Sequence, residues 1–370
     1  MERLYQKFFE KLPVRSVATD EDLHLLSPEE LRLVRKTERW ALIAAVLIEL
    51  AAYVIVFLPI YEFPDFFESN TVGLGGPFVH LTAKFHWAKD GWMFIVTVLE
   101  LYVLLLLNLA AVHGIAVATG YIKRNAMARE TAGLIRIALE SRFSELHQFG
   151  IDPYERMNPW VLYFFLGFNR LKGLIGSVIA RAVISNLFGR EVMRVYLDFS
   201  GMPIYMAINM YTTHVILRNA RVVVMGQTSI EIVRRQLPTA QLDSSELELI
   251  YDSLQFIAIH KRDFHANHYY LSKAIIDHYG IAIEENHPLP ANFLAKLKSA
   301  RQPVADVCRL IIVLGFLLDG TISWRERREL AVLQAEGILD LSLADLEDYR
   351  DQFVDGQGLD VVTNRLLRVA

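Results

Sequence analysis

Apolar residues run almost unbroken through positions 40–61 and again through 92–121, and each run holds one carboxylic acid, Glu49 in the first and Glu100 in the second. A helix rises about 1.5 Å per residue, so either run is long enough to cross a hydrocarbon core of about 30 Å. The pattern predicts two antiparallel membrane spans within residues 40–120, joined by a glycine-, proline- and aromatic-rich loop over 61–90. Ahead of the first span, Ser27-Pro28-Glu29-Glu30 predicts a helix start, with a hydroxyl cap, proline at the first helical position and acids in the first turn. That helix continues past Arg32, Arg35, Lys36 and Arg39 into the span, with Trp40 at the expected interfacial level.

Basic residues set the orientation. They crowd the N-terminal flank (1–39) and recur after the second span at Lys123, Arg124, Arg129, Arg136 and Arg142, whereas the 61–90 loop has only Lys84 and Lys89. The positive-inside rule places both flanks in the cytoplasm and the loop outside. Residues 1–12 do not read as a signal peptide; Leu4, Phe8, Phe9 and Leu12 lie at near-helical spacing instead, the pattern of a short amphipathic helix.

Residues 121–158 predict a cytoplasmic helix ended by Gly150-Ile151-Asp152-Pro153. Residues 159–218 predict membrane-embedded helices, either two further spans, for about four in all, or a re-entrant pair beside the first two. The stretch 173–189 carries Arg181, and 195–217 is interrupted by Asp198, Gly201 and Pro203. Both arrangements return the tail to the cytoplasm. Residues 219–245 predict a basic juxtamembrane helix and a linker, with Arg218 and Arg221 near lipid headgroups. Residues 246–370 predict a helical domain, with helices at 245–260, 264–279, 291–299, 303–318, 323–335, 343–353 and 359–368. The fold class is therefore all-α, a polytopic helical membrane domain followed by a cytoplasmic helical domain.

Composition agrees and excludes some functions. Of 370 residues, 53 % are hydrophobic and yet 22 % are charged, which suits a chain partly in lipid and partly in water. A net charge of −4 supplies no bulk basic field for nucleic acid. The single cysteine, Cys308, excludes an intrachain disulfide and a multi-cysteine metal cluster. No nucleophile elbow, phosphate-cradling glycine loop or zinc-protease motif is present, so no enzyme is expected.

Three groups of residues carry candidate chemistry. The first is the polar set within the apolar stretches: Glu49, Glu100, Asn108, His113, Arg181, Asp198, Asn209 and His214. Charge at the bilayer centre is costly, so such groups face a bundle interior or a cavity. They serve either as hydrogen-bonded ties between helices or as a site that binds a cation or relays protons through Glu49 and Glu100. The second is His260-Lys261-Arg262-Asp263-Phe264-His265-Ala266-Asn267-His268, where His265 and His268 are metal-ligand candidates and Asp263 fits the N-cap of a helix over 264–279. The third is Leu318-Asp319-Gly320-Thr321-Ile322-Ser323-Trp324-Arg325-Glu326. It matches the second half of an EF-hand loop without the first half, since the earlier ligand positions fall on Gly315 and Leu317. The same residues also form a helix–turn–helix joint, with Gly320 in the turn, Ser323 as cap and Glu326 closing a capping box.

Residues 311–353, with this joint followed by Glu329-Leu330 and Leu339-Asp340-Leu341-Ser342-Leu343-Ala344-Asp345-Leu346-Glu347, resemble the tellurite-resistance TerB family, and the likeness covers about 250–360. The resemblance implies a small all-α module that senses or scaffolds at the inner face of a bacterial membrane. No cofactor is expected; were the family's metal site carried over, Asp319 and Glu326 would be the candidates for a divalent cation. The expected partners are lipid and, because costly polar groups in few spans are more easily satisfied in an oligomer, further copies of the chain or a larger membrane complex; the distribution of basic residues keeps both termini cytoplasmic.

Overall fold

The structure is a computed structural model that describes Leu12 and residues 26–68, 71–74, 83–119, 121, 149–152, 194–239, 242–261 and 265–367. The amphipathic stretch within 1–25, most of the helix expected over 122–150, the 159–190 segment with Arg181, Asp263 and the side chain of Asp198 lie outside the described residues.

Helices dominate the described chain. They are α1 (Pro28–Glu62), α2 (Pro64–Glu68), α3 (Trp87–Ala118), α4 (Arg194–Gln236), α5 (Ser244–Lys261), α6 (Ala266–Tyr279), α7 (Phe293–Ser299), α8 (Gln302–Leu317), α9 (Trp324–Ala335), α10 (Leu343–Val354) and α11 (Asp360–Leu367). The all-α class is as expected, with one small addition. Thr71–Leu74 and Ala83–His86 pair as an antiparallel ribbon, in register Thr71 with His86 and Leu74 with Ala83. Strands of four residues are too short to show alternation in sequence. The region read as a loop over 61–90 thus holds α2, this ribbon and the start of α3.

A correction concerns 194–236. The expected break at Gly201 and Pro203 does not occur, and the membrane-length stretch and the basic helix after it are one continuous helix. Proline removes one backbone donor near the start of a long helix, and the later turns carry it through.

The chain divides into two compact units. One comprises residues 36–111 and 159–216. Among the described helices, Pro28–Glu62 and Gly91–Ala118 are long and apolar enough to cross a membrane. In this unit the side chains that α1 and α3 bury are mostly small or polar, and most of the large ones face outward. Ala41, Ala45, Glu49 and Ala52 are buried along α1, while Trp40, Ile43, Leu47, Val54 and Leu58 are exposed. On α3 the buried stripe includes Val96, Leu104 and Asn108, with Phe94, Ile95, Leu99 and Tyr102 outside. Trp92 Nε1 donates to Ile55 O at 3.2 Å and ties α3 to α1. The start of α1 is as expected: Ser27 N donates to Glu30 Oε2 at 2.8 Å, and Glu30 N donates back to Ser27 Oγ at 3.2 Å.

The other unit comprises residues 1–35, 112–158 and 217–370. Its centre is α8, in which every residue from Val304 to Leu317 except Arg309 is buried. Around it pack α5, α7, α10 and α11. Gly315 permits the tightest of these contacts, because a Cβ there would lie 2.4 Å from Ile257 Cδ1 on α5. Local signals set the boundaries. Ser323 and Glu326 form a reciprocal capping box on α9, and Ser342 and Asp345 form another on α10. Gly280 and Gly337, both with positive φ, follow the ends of α6 and α9. The start of α6 differs from expectation, since its N-cap is His265, not Asp263. The His265 ring accepts from the Asn267 amide and the His268 ring accepts from the His265 amide, so two imidazoles do the work a carboxylate was expected to do.

Candidate functional site

Two polar clusters stand out, one in each unit. In the 36–111 and 159–216 unit, α1 supplies Glu49, α3 supplies Glu100 and α4 supplies Asn209. The Asn209 amide nitrogen donates to Glu49 Oε2 and also to Glu100 Oε1, the second at 3.0 Å. Glu49 and Asn209 are 8 % and 3 % exposed, so this set is withdrawn from the outer surface. One amide has two N–H groups, and here each carboxyl takes one. The arrangement links three helices through one nitrogen and two carboxyl oxygens.

Other members of the expected polar set are not drawn in. Asn108 is buried on the same stripe of α3, and its Oδ1 has no hydrogen-bond partner among the described residues. His214 is exposed on α4, and His113 is buried in the other unit.

The second cluster lies at the Asp319–Glu326 joint. Lys261, the last residue of α5, has a side chain only 1 % exposed. Its ammonium donates to Asp319 Oδ2 at 2.7 Å, Glu326 Oε2 at 3.0 Å and Thr321 O at 3.0 Å. An ammonium has three protons, and all three are used. Each carboxylate takes one further bond, Asp319 from the Thr321 amide at 2.9 Å and Glu326 from the Ser323 amide at 2.9 Å. Burial alone would push the Asp319 carboxyl up; the charge of Lys261, then His268, and the bonds from Lys261 and Thr321 outweigh it and hold it below the usual range. The lysine nitrogen therefore sits where a cation would bridge the two acids.

The imidazoles are similarly committed. His268 Nδ1 accepts from the His265 amide at 3.1 Å, and Nε2 meets Gly315 O at 2.8 Å, the pattern of a neutral ring protonated on Nε2. No lone pair on that ring is left for a metal. Burial, and then the neighbouring His268, lowers His265 to about 4, and burial lowers His268 as well. Among the described residues no group of three His, Cys, Asp or Glu side chains is placed to hold a metal ion.

Asn267 completes this region. Its amide nitrogen donates to Val222 O at 2.9 Å and Leu318 O at 2.7 Å, joining α4, α6 and the end of α8. Gly226 makes room for it, because a Cβ there would lie 1.9 Å from the same nitrogen. The two arginines expected at lipid headgroups are turned inward instead. Arg218 donates to Gly320 O at 2.6 Å, and Arg221 is buried. A buried backbone carbonyl needs a donor, and Arg218 supplies one to Gly320.

A third constellation was not apparent from the sequence. His287 lies between Asp252 Oδ1 at 2.8 Å and Glu284 Oε2 at 3.0 Å, and stacks on Tyr251 with ring centroids 3.8 Å apart. Burial would lower its pKa, but the bonds to Asp252 and Glu284 prevail and raise it. Beside it, Gln255 binds both the N–H and the C=O of Asp152, and Tyr251 donates to Phe149 O, so residues 149–152 are strapped to α5. The only advance signal was a set of polar residues inside an apolar helix, Asp252, Ser253 and Gln255.

Compared with known proteins, the chain matches no family model, and no curated protein and no solved structure matches it.

Proposed function

We propose that this chain is a non-enzymatic, membrane-anchored scaffold or sensing protein of a bacterial inner membrane. Its helical bundle, with about four spans or two spans and re-entrant helices, tethers and orients a TerB-like domain that docks partners in the cytoplasm. It works as a homo-oligomer or within a larger membrane complex. The observation that carries this reading is the closure of Glu49 and Glu100 by Asn209. The acids inside the apolar helices are spent on tying three helices together, as expected of a bundle whose task is to hold. The Lys261 cage supports the same view of the soluble part, since its acids are occupied by a side chain of the protein itself.

One observation favours a second reading, in which Glu49 and Glu100 handle protons or cations: both acids converge on one amide, and Glu100 is only half-buried. Purified full-length protein in liposomes separates the two. Proton and monovalent-cation flux equal to empty liposomes, for the parent and for Glu100→Gln alike, is expected. Flux in the parent that Glu100→Gln abolishes would replace the scaffold by the ion-handling reading.

A further inference from the structure

Helix α9 opens with an exposed aromatic and an unmatched positive face. Trp324 is 75 % exposed, and Arg325 and Arg328, also exposed, have no ion pair or hydrogen bond to a side chain among the described residues. Trp324 and Arg328 are one helical turn apart, Val332 (42 % exposed) lies one turn further on, and Arg325 flanks them. The acids of the same helix do not neutralise this face. Glu326 is buried against Lys261, and Glu329 is held by His260 at 3.5 Å. Arg327 differs from its neighbours in having a partner, Glu347 at 3.0 Å.

The position of this face within its unit matters. The turn just before α9 is gripped by Arg218, the second residue of α4 to belong to this unit. A Cβ at Gly320 would lie 3.1 Å from Val222 and 2.8 Å from Val354, and one at Gly356 would lie 3.1 Å from Leu26 and 3.3 Å from Leu31. The turn before α9 therefore packs on α4 residues of its own unit, and the turn after α10 packs on Leu26 and Leu31.

We propose that Trp324, Arg325 and Arg328 form a docking face for the anionic headgroups of the bilayer into which α1 and α3 insert. This rests on the membrane reading above and adds a specific lipid contact to it. Indole belongs at the headgroup level, with its ring in the acyl boundary and its N–H in the polar layer. Arginine near an anionic surface gains about 1 kcal/mol, or about fivefold in occupancy. The basic lipid contact that the sequence suggested for Arg218 and Arg221 is thereby supplied from α9, because those two side chains are used inside the protein.

The test is tryptophan quenching on the full chain, reconstituted in phosphatidylcholine alone or in phosphatidylcholine doped with phosphatidylglycerol, each with a quencher near the headgroup. The Trp324 contribution is the difference between the parent and Trp324→Phe, since the chain has five tryptophans. Quenching of Trp324 is expected in the anionic bilayer and much less in the neutral one. Arg325→Glu with Arg328→Glu is expected to lower the docked-to-free ratio about fivefold or more for each arginine. Trp324 left unquenched in both bilayers, or quenched equally in both and indifferent to the charge reversal, overturns the proposal. Trp40 and Trp92 report insertion separately; if they too escape quenching, the membrane reading fails and this inference fails with it.

Discussion

The two units solve the burial problem with opposite materials. In the 36–111 and 159–216 unit, α1 and α3 bury mainly alanines and polar groups (Ala41, Ala45, Ala52, Glu49, Asn108) and turn leucine, isoleucine and phenylalanine outward. In the other, α8 buries Val307, Leu310, Ile311, Ile312, Val313, Leu314, Phe316 and Leu317. Water rewards the second pattern, at about 25 cal/mol for each Å² of apolar surface removed from it. A solvent as apolar as leucine does not reward it, so close approach of small residues and hydrogen bonds between helices take over. Polar groups consequently differ in what they do. The Glu49–Asn209–Glu100 set ties helices together, whereas the Lys261 cage is a sealed exception inside an apolar core.

The most severe test of that contrast is Lys261→Met. It removes the ammonium and leaves Asp319 and Glu326 buried with a carbonyl between them. Breaking a buried pair from one side costs about 3–5 kcal/mol, much of it from the charge left behind. Thermal unfolding of the full chain in detergent should show a large fall in Tm for the helical domain. A loss below about 1 kcal/mol would mean the cage is wet, and the contrast with the other unit would weaken.

Next in size is the pH dependence of the same domain. His265 and His268 are held neutral in the fold, their pKa values lowered from 6.5. Their contribution is fully present above about pH 6.5 and is lost as pH falls, for His265 down to about 4, because the unfolded chain takes up protons the folded one refuses. For His265 the shift corresponds to roughly 3 kcal/mol. His287 works the other way. Its raised pKa favours the protonated ring, so its contribution is fully present below about pH 6.5 and disappears as pH rises through the higher folded value. Stability should therefore fall on both sides of a maximum near neutrality. His265→Asn, which keeps an N-cap but cannot titrate, should flatten the acid side, and His287→Gln the alkaline side. Identical pH profiles for the parent and both variants would show that His265 and His287 do not set this dependence.

What the sequence disclosed follows from how local each cause is. The seven helices expected over 245–368 all occur, with ends within a few residues of the expected positions, because serine caps, glycine turns and apolar spacing act within one or two turns. Ser27 and Glu30 were legible for the same reason. Contacts between distant residues were not. Lys261 meets acids 58 and 65 residues away, and Asn209 meets Glu49 across 160 residues. Nothing in the local pattern around Lys261 distinguishes it from a solvated lysine at a helix end. Its partners looked like half a cation loop because the chemistry is alike; only the identity of the cation was hidden. The Arg218 contact with Gly320 was hidden in the same way, since basic residues beside an apolar run fit headgroups and interior carbonyls equally well.

The smallest expected effect is also the one that bears most directly on the apolar unit. Asn209→Leu removes the amide that joins Glu49 to Glu100 while keeping similar volume. In water-soluble cores, stranding two acids would cost several kcal/mol, as argued for Lys261. Between membrane helices the measured worth of such bonds averages about 0.6 kcal/mol and reaches about 1.7, because helices that have come apart still find partners for their polar groups. The freed acids can also protonate and bond to each other, which softens the loss further. Unfolding by a denaturing detergent should therefore show Asn209→Leu about 0.6–1.7 kcal/mol less stable than the parent. Asn209→Asp should be worse, since a third carboxyl cannot donate to the other two unless it takes a proton. A cost for Asn209→Leu equal to that of Lys261→Met would show that both units exact the same penalty for a broken polar set, and the distinction between a tie among helices and a sealed cage would have to be given up.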